Sequence, residues 1–402
     1  MSVVRPFRAL RPSPESAAAV SSVPYDVVNT EEARRLTAGN PLSFLHVTRS
    51  EIDLPDATDP YSSQVYEKAK QNLASLRARA PLVEEAEPAM YLYRLRMGEH
   101  EQTGIAACFS IDEYDRDLIK KHERTRRDKE DDRTRHIVDV RAQTGVVFLT
   151  YKASPAVDRE SRAVAAGNPI YDFTAEDGIR HTIWKASAQE SAALVDAFRG
   201  IPALYIADGH HRAASAARAQ KTLGGGGEAE TFIAVAFPDD QMQILPYNRI
   251  VKDLAGRTPA QFLDALRARL PVAEATALPA GKGHVSMFLD GRWYGIDLSA
   301  VPPADGSRAS ALDVALLQHH VLEPLLAVGD VRTDKRIDFV GGARGTKALE
   351  DAVKSGRAAV AFSMHPVTID DLMSIADEGG IMPPKSTWFE PKLRDGLLVH
   401  VI

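Results

Sequence analysis

The chain has 402 residues, with 49 lysines and arginines against 55 aspartates and glutamates, a net charge of −6. Its length is that of two or three domains rather than one. At 44% hydrophobic and 26% charged residues it has the balance of a folded globular protein, which excludes a disordered chain, and the acidic surplus argues against nucleic acid as a partner.

The alternating apolar residues of 3–10 predict a strand, and residues 23–28 a short extended piece. A helix entrance follows, with Asn29 or Thr30 as cap and Glu31 and Glu32 in the first turn. Residues 43–47 read as strand and residues 61–80 as an amphipathic helix. Residues 90–94 and 103–111 pair as a hairpin. The single cysteine, Cys108, lies in the second of these and reads as a core residue; it excludes an internal disulfide and a CxxC zinc site. Residues 117–136 mix both charge signs and predict a solvated helix laced by i,i+4 pairs. Residues 145–151 predict a buried strand and 187–198 a helix. Residues 202–207 predict a strand leading into an alanine-rich helix over 213–220. Gly224 to Gly227 form a flexible loop with no lysine placed as in a phosphate loop. Residues 231–237 are again a strand. The texture changes over 253–259. Beyond it lie a helix over 259–270, a hairpin at Asp290-Gly291, a helix over 309–326 and small α/β pieces. The first eight residues lack the apolar core of a signal peptide, and no stretch has the apolar length of a membrane span. A cytoplasmic location with no membrane partner is therefore expected.

The Walker A, GxGxxG, GxSxG and HExxH signatures are absent. The strongest local signal is Asp208-Gly209-His210-His211-Arg212, on the turn from the strand over 202–207 into the alanine-rich helix. Gly209 permits a tight turn and close approach of a ligand. The helix that follows begins with free N–H groups and the positive end of its dipole, which suits an anion. Arg212 can grip a phosphate bidentately, and His210 and His211 can donate further bonds or shuttle a proton. Two other readings stay open. Asp208 can be a simple helix cap with the histidines as polar neighbours, or Asp208, His210 and His211 can bind a metal.

The Gly-x-x-Arg spacing that ends at Arg212 resembles the phosphate-gripping turn of the ParB/sulfiredoxin superfamily. The longer form Ala207-Asp208-Gly209-His210-His211-Arg212 occurs with Pro24-Tyr25-Asp26, Asn40-Pro41, Lys121-His122-Glu123-x-Thr125 and Met382-Pro383-Pro384-Lys385-Ser386-Thr387. This set resembles the bacterial family known as domain of unknown function 1015 over nearly the whole chain. The core alone is similar to the free-serine kinases of the ParB-like superfamily. The resemblance implies an α+β fold with a ParB/sulfiredoxin-like core carrying insertions, and the change of texture bounds this region at 1–253, with a C-terminal α/β region over 254–402. It also implies that ATP or ADP with Mg²⁺ donates phosphate to the hydroxyl of a small metabolite such as free L-serine, with a carboxylate as base.

On that reading Glu123, Asp208 and His210 are the catalytic candidates, the base being either Glu123 or Asp208. Gly209, His211, Arg212, Lys121, His122, Thr125, Lys129, Asn248 and Arg249 are the nucleotide and phosphate candidates. Tyr25, Asp26, His46 and Arg49 are the substrate candidates, and no residue is assigned to a metal. The plain alternatives are a solvated charged helix around Glu123 and a surface loop with local salt bridges around Arg49. The expected partners are a nucleotide and a small molecule, and the assembly admits a homodimer. Two other functions stand beside phosphotransfer: a nucleotide-binding switch without turnover, and a metal-dependent phosphohydrolase.

Overall fold

A computed structural model describes residues 3–80 and 82–402. The architecture is mixed α+β, as expected, and divides into two compact units, residues 1–242 with 391–402 and residues 243–390. The sequence reading sets a single boundary at 253/254. The observed division comes earlier in the chain, and the last residues rejoin the first unit.

The first unit is built on a nine-stranded mixed sheet. Its strands are β1 (Val4–Arg5), β2 (Tyr91–Met97), β3 (His100–Ser110), β4 (Ile119–Lys120), β5 (Val147–Tyr151), β6 (Tyr171–Thr174), β7 (Arg180–Lys185), β8 (Leu204–Asp208) and β9 (Thr231–Pro238). The order across the sheet is β4-β8-β5-β9-β3-β2-β7-β6, with β1 antiparallel to β3. Strand β8 runs parallel to β4 and antiparallel to β5, while β9 runs parallel to β5. Strands β5 and β9 are buried along their whole length, which their unbroken apolar runs require. Cys108, in β3, is fully enclosed, and burial pushes its thiol up, as suits a core residue.

Three helices of this unit bear on the site: α1 (Ser63–Arg79), α2 (Arg127–Val140) and α3 (His210–Thr222). Leu204 and Ile206, two residues apart on β8, share one core cluster with Val147 and Leu149 of β5 and with Ala213, Ala216 and Ala217 of α3. The small alanine side chains bring α3 close to the sheet. Residues 391–402 enter this unit through Val399–Val401, which pairs antiparallel with Ala9–Arg11 on one side and Ala142–Gln143 on the other.

Several sequence expectations fail locally: the strand over 3–10 is two short strands, Val4–Arg5 and Ala9–Arg11, and the extended piece over 23–28 is a 3₁₀ turn at Tyr25–Val27. Residues 45–48 form a helical turn rather than a strand, because Phe44 and Val47, three apart, turn into one cluster. The charged run 117–136 is helical only from Arg127; Ile119–Lys120 joins the sheet instead, and residues 121–126 are loop. Charge pattern alone does not separate a solvated helix from a loop held by tertiary contacts.

The second unit is a six-stranded antiparallel sheet with its own core of Ile250, Phe288, Val340, Leu349 and Ala361. The hairpin expected at Asp290-Gly291 joins His284–Leu289 to Arg292–Asp297. The helix expected over 309–326 is instead three short pieces, with a π-turn at Gln318–Leu322.

Candidate functional site

Strand β8 ends at Asp208, where the pairing with β5 shifts register. Gly209 then turns the chain with φ +96° into α3. Such a φ is open to glycine at little cost and strained for other residues. A Cβ at Gly209 would also stand 3.0 Å from Cζ and Nε of Arg212. Gly209→Ala is therefore expected to lower stability by about 2 kcal/mol, from left-handed backbone strain and a displaced guanidinium. Urea unfolding checks this, and an unshifted midpoint contradicts it. As helix cap, Gly209 brings no side-chain acceptor to the first turn of α3.

Arg212 lies one turn along and is 7% exposed. Its Nη2 is 3.4 Å from Asp208 Oδ1 and 3.8 Å from Asp26 Oδ2. Its Nη1 donates to the Val146 carbonyl, and its stem packs over Gly145, where a Cβ would stand 3.0 Å from Arg212 Cδ. Lys392 Nζ donates to Asp208 Oδ2 at 2.8 Å. Burial opposes the charge on Asp208, but Lys392 and Arg212 outweigh it and hold this carboxyl well below the usual carboxylate range. Arg212, expected to grip a ligand phosphate, already faces the carboxylates of Asp26 and Asp208 in its own chain. A cavity of about 20 Å³ adjoins it, lined by Tyr25, Arg133, His136 and Gly145 among others, room for about one water and far too small for a nucleotide.

Loop 121–126 folds against the start of α3. The His122 N–H meets His210 Nε2 at 3.4 Å, and the Arg126 N–H donates to His211 Nε2 at 2.9 Å. As acceptors at Nε2, both rings carry their proton on Nδ1. His210 Nδ1 is 3.9 Å from Glu123 Oε2. The His122 and His210 rings meet edge to face, centroids 4.4 Å apart. Burial drives His122 down to about 4; burial first and then His122 push His210 well below the usual imidazole range. Both are neutral at pH 7. The metal reading of Asp208, His210 and His211 thus meets two ring nitrogens already occupied by backbone donors. Among the described residues no three or more His, Cys, Asp or Glu side chains converge as a metal site.

The corner therefore gathers Tyr25, Asp26, His122, Glu123, Asp208, Gly209, His210, His211 and Arg212. The other sequence candidates have partners elsewhere. Lys121 Nζ donates to the Tyr114 carbonyl at 2.7 Å and to Asp117 at 3.2 Å, and Thr125 donates to Glu130. Lys129 reaches Tyr61 Oη at 3.2 Å. His46 pairs with Asp53 at 2.9 Å, and Arg49 with Glu51 at 3.0 Å. Asn248 and Arg249 belong to the second unit, where they pin backbone: Asn248 Oδ1 accepts from the Met364 N–H at 2.9 Å, and Arg249 donates to the Lys385 carbonyl at 3.0 Å. Sequence reasoning missed Lys392 and Asp395. Both come from residues 391–402, where the one available signal was a cluster of charges inside an apolar C-terminal run.

The first unit is thus an α+β sheet protein with a buried ionic cluster at a strand-to-helix corner. Residues 4–315 match the family described as "Protein of unknown function (DUF1015)", and the chain belongs to that family. No curated protein matches it. Among solved structures it is similar to a conserved hypothetical protein from Pyrococcus furiosus, with 15% identity, a TM-score of 0.37, and coverage of 74% of this chain and 95% of that one. It is similar to a free serine kinase in complex with AMP, with 13% identity, a TM-score of 0.38, and coverage of 73% and 91%. It is also similar to SbnI with C-terminal truncation from Staphylococcus aureus, with 13% identity, a TM-score of 0.40, and coverage of 74% and 87%.

Proposed function

We propose that this chain is a nucleotide-dependent phosphotransferase acting on a small hydroxylated metabolite, with free L-serine the first acceptor to test. One observation carries the reading: partly exposed carboxylates stand around the start of α3, which has no side-chain cap. The side chains of Asp26, Asp208 and Glu123 are 39%, 28% and 44% exposed, so the outer face of the corner is the face a ligand reaches. The backbone N–H groups and dipole at the start of α3 suit a phosphate. On this reading ATP or ADP binds at that outer face, since the cavity behind Arg212, about 20 Å³, is too small for it. Magnesium would arrive on the nucleotide phosphates, where it supplies charge neutralisation.

The roles of the two base candidates separate. Asp208, held by Lys392 and Arg212, is a weak proton acceptor and serves to keep the corner ordered. Glu123 is more exposed and lies beside the Nδ1–H of His210, so it takes the acceptor's hydroxyl proton. Asp26 faces the acceptor. The test incubates the purified full chain with serine and ATP or ADP and looks for phosphoserine. Glu123→Gln is expected to lower turnover about 10²-fold or more while leaving nucleotide affinity nearly unchanged. Absence of both nucleotide binding and phosphoserine, with ATP and with ADP, would count against the proposal.

A second reading, a nucleotide-binding switch without turnover, is favoured by the inward pairing of Arg212, since that cation is already engaged. Tight nucleotide binding by calorimetry, with no phosphorylated acceptor, selects it.

A further inference from the structure

Five charged side chains meet at the corner: Asp26, Asp208 and Asp395 against Arg212 and Lys392. Arg133, which also acts on Asp395, is matched by Asp132 at 2.8 Å. One negative charge is left over. Asp395 is the most enclosed of the carboxylates, 1% exposed, and its Oδ2 is buried with no hydrogen-bond partner. An ionised oxygen in that position would lose its hydration with no donor in return, whereas a neutral carboxyl avoids most of that cost.

We infer that Asp395, delivered by the C-terminal segment, is held as the neutral acid and acts through Arg212 as a positioning residue for Asp26 and Asp208. With Asp395 uncharged, the guanidinium is shared between the two carboxylates that face outward. Ionisation would put a third full charge beside Arg212 and draw it from them.

The groups that face Asp395 come from every packed element. They are Arg212 on α3, Asp26 beside Tyr25, Arg133 on α2, Tyr93 on β2 and the Val146 backbone. On its own segment Arg394 is engaged by Asp177 and His181. Burial raises Asp395 to about 7 against the pull of Arg212, and Asp26 adds to the rise. A group raised in the fold binds its proton more tightly folded than unfolded. Its contribution to stability is therefore full below the unfolded value near 4 and is lost as pH climbs towards 7. The inference concerns the cluster's own charge and stands whether or not a nucleotide binds.

The test compares the full chain with Asp395→Asn, which keeps the size and neutrality of the acid. In urea unfolding across pH, the folding constant of the native chain relative to the variant is expected to fall about tenfold per pH unit from about pH 4 to about pH 7, then level. Carboxyl-carbon NMR of aspartate-labelled protein is expected to show one aspartate titrating near neutrality, absent from the variant. If the variant does not fold, the native spectrum decides alone. Parallel pH profiles, or every aspartate already ionised at about pH 6, overturn the inference.

Discussion

Arg212→Ala is expected to destabilise the first unit by about 3–5 kcal/mol, the loss typical when one partner of a buried ion pair is removed. The change leaves Asp26, Asp208 and Asp395 with Lys392 as the main remaining cation, strips the Val146 carbonyl of its donor and enlarges the cavity beside Gly145. Against a total stability of about 5–15 kcal/mol, this is a large fraction. Arg212→Lys is expected to recover only part of it. One ammonium replaces the charge but cannot reach the Val146 carbonyl and two carboxylates with fork geometry. Adding Asp395→Asn to Arg212→Ala should move the midpoint little further, because Asp395 is already the neutral acid and holds its proton more firmly once the arginine is gone. Urea midpoints of the four proteins measure all of this. An unchanged midpoint for Arg212→Ala would sink the description of the corner as an ionic cluster. A loss of activity in that variant therefore does not by itself report a lost phosphate grip.

Acidification is expected to unfold the first unit steeply below about pH 6. His122 and His136 are driven by burial to about 4, His181 to about 3, and His210 well below its ordinary value. Their unfolded value is near 6.5. A histidine lowered in the fold takes up a proton on unfolding, so its stabilising contribution is full above pH 6.5 and is lost as pH falls towards 4. His400, also lowered by burial, has the same sign. His46, raised chiefly by its bond to Asp53, and Asp395 have the opposite sign. Below pH 6.5 His46 is protonated in both states and adds nothing, so His122, His136, His181 and His210 less Asp395 leave about three protons taken up on unfolding, or about 4 kcal/mol of stability lost per pH unit over this window. Folding free energy measured from pH 7 downward tests it, and His136→Gln should flatten the slope by about one proton. A flat profile between about pH 6.5 and pH 4.5 would contradict the neutral burial of these rings.

Much of the framework was legible in the chain. The buried strands over 147–151 and 231–238, the helix over 63–79 and the hairpin over 91–110 show their period or apolar run in the residues themselves. The turn at Gly209 was legible because a glycine between an apolar strand and an alanine-rich helix has few other uses. The loop over 121–126 was not. Its charges read equally well as a solvated helix, and what decides against the helix is distant: the pairing of Ile119–Lys120 with Leu204–Tyr205 and the bonds from His122 and Arg126 to the two histidines.

Residue type and spacing alone determine that Asp208, Gly209, His210 and Arg212 share one corner, since the strand, the turn and one helical turn leave them nowhere else to go. Which way the guanidinium points is a different kind of fact. It depends on Asp26 from far upstream and on Lys392 and Asp395 from the end of the chain, which the pairing of Val399–Val401 with Ala9–Arg11 carries into the first unit. Charges attract through space regardless of their separation along the backbone, and no local pattern records which of them burial will bring within reach.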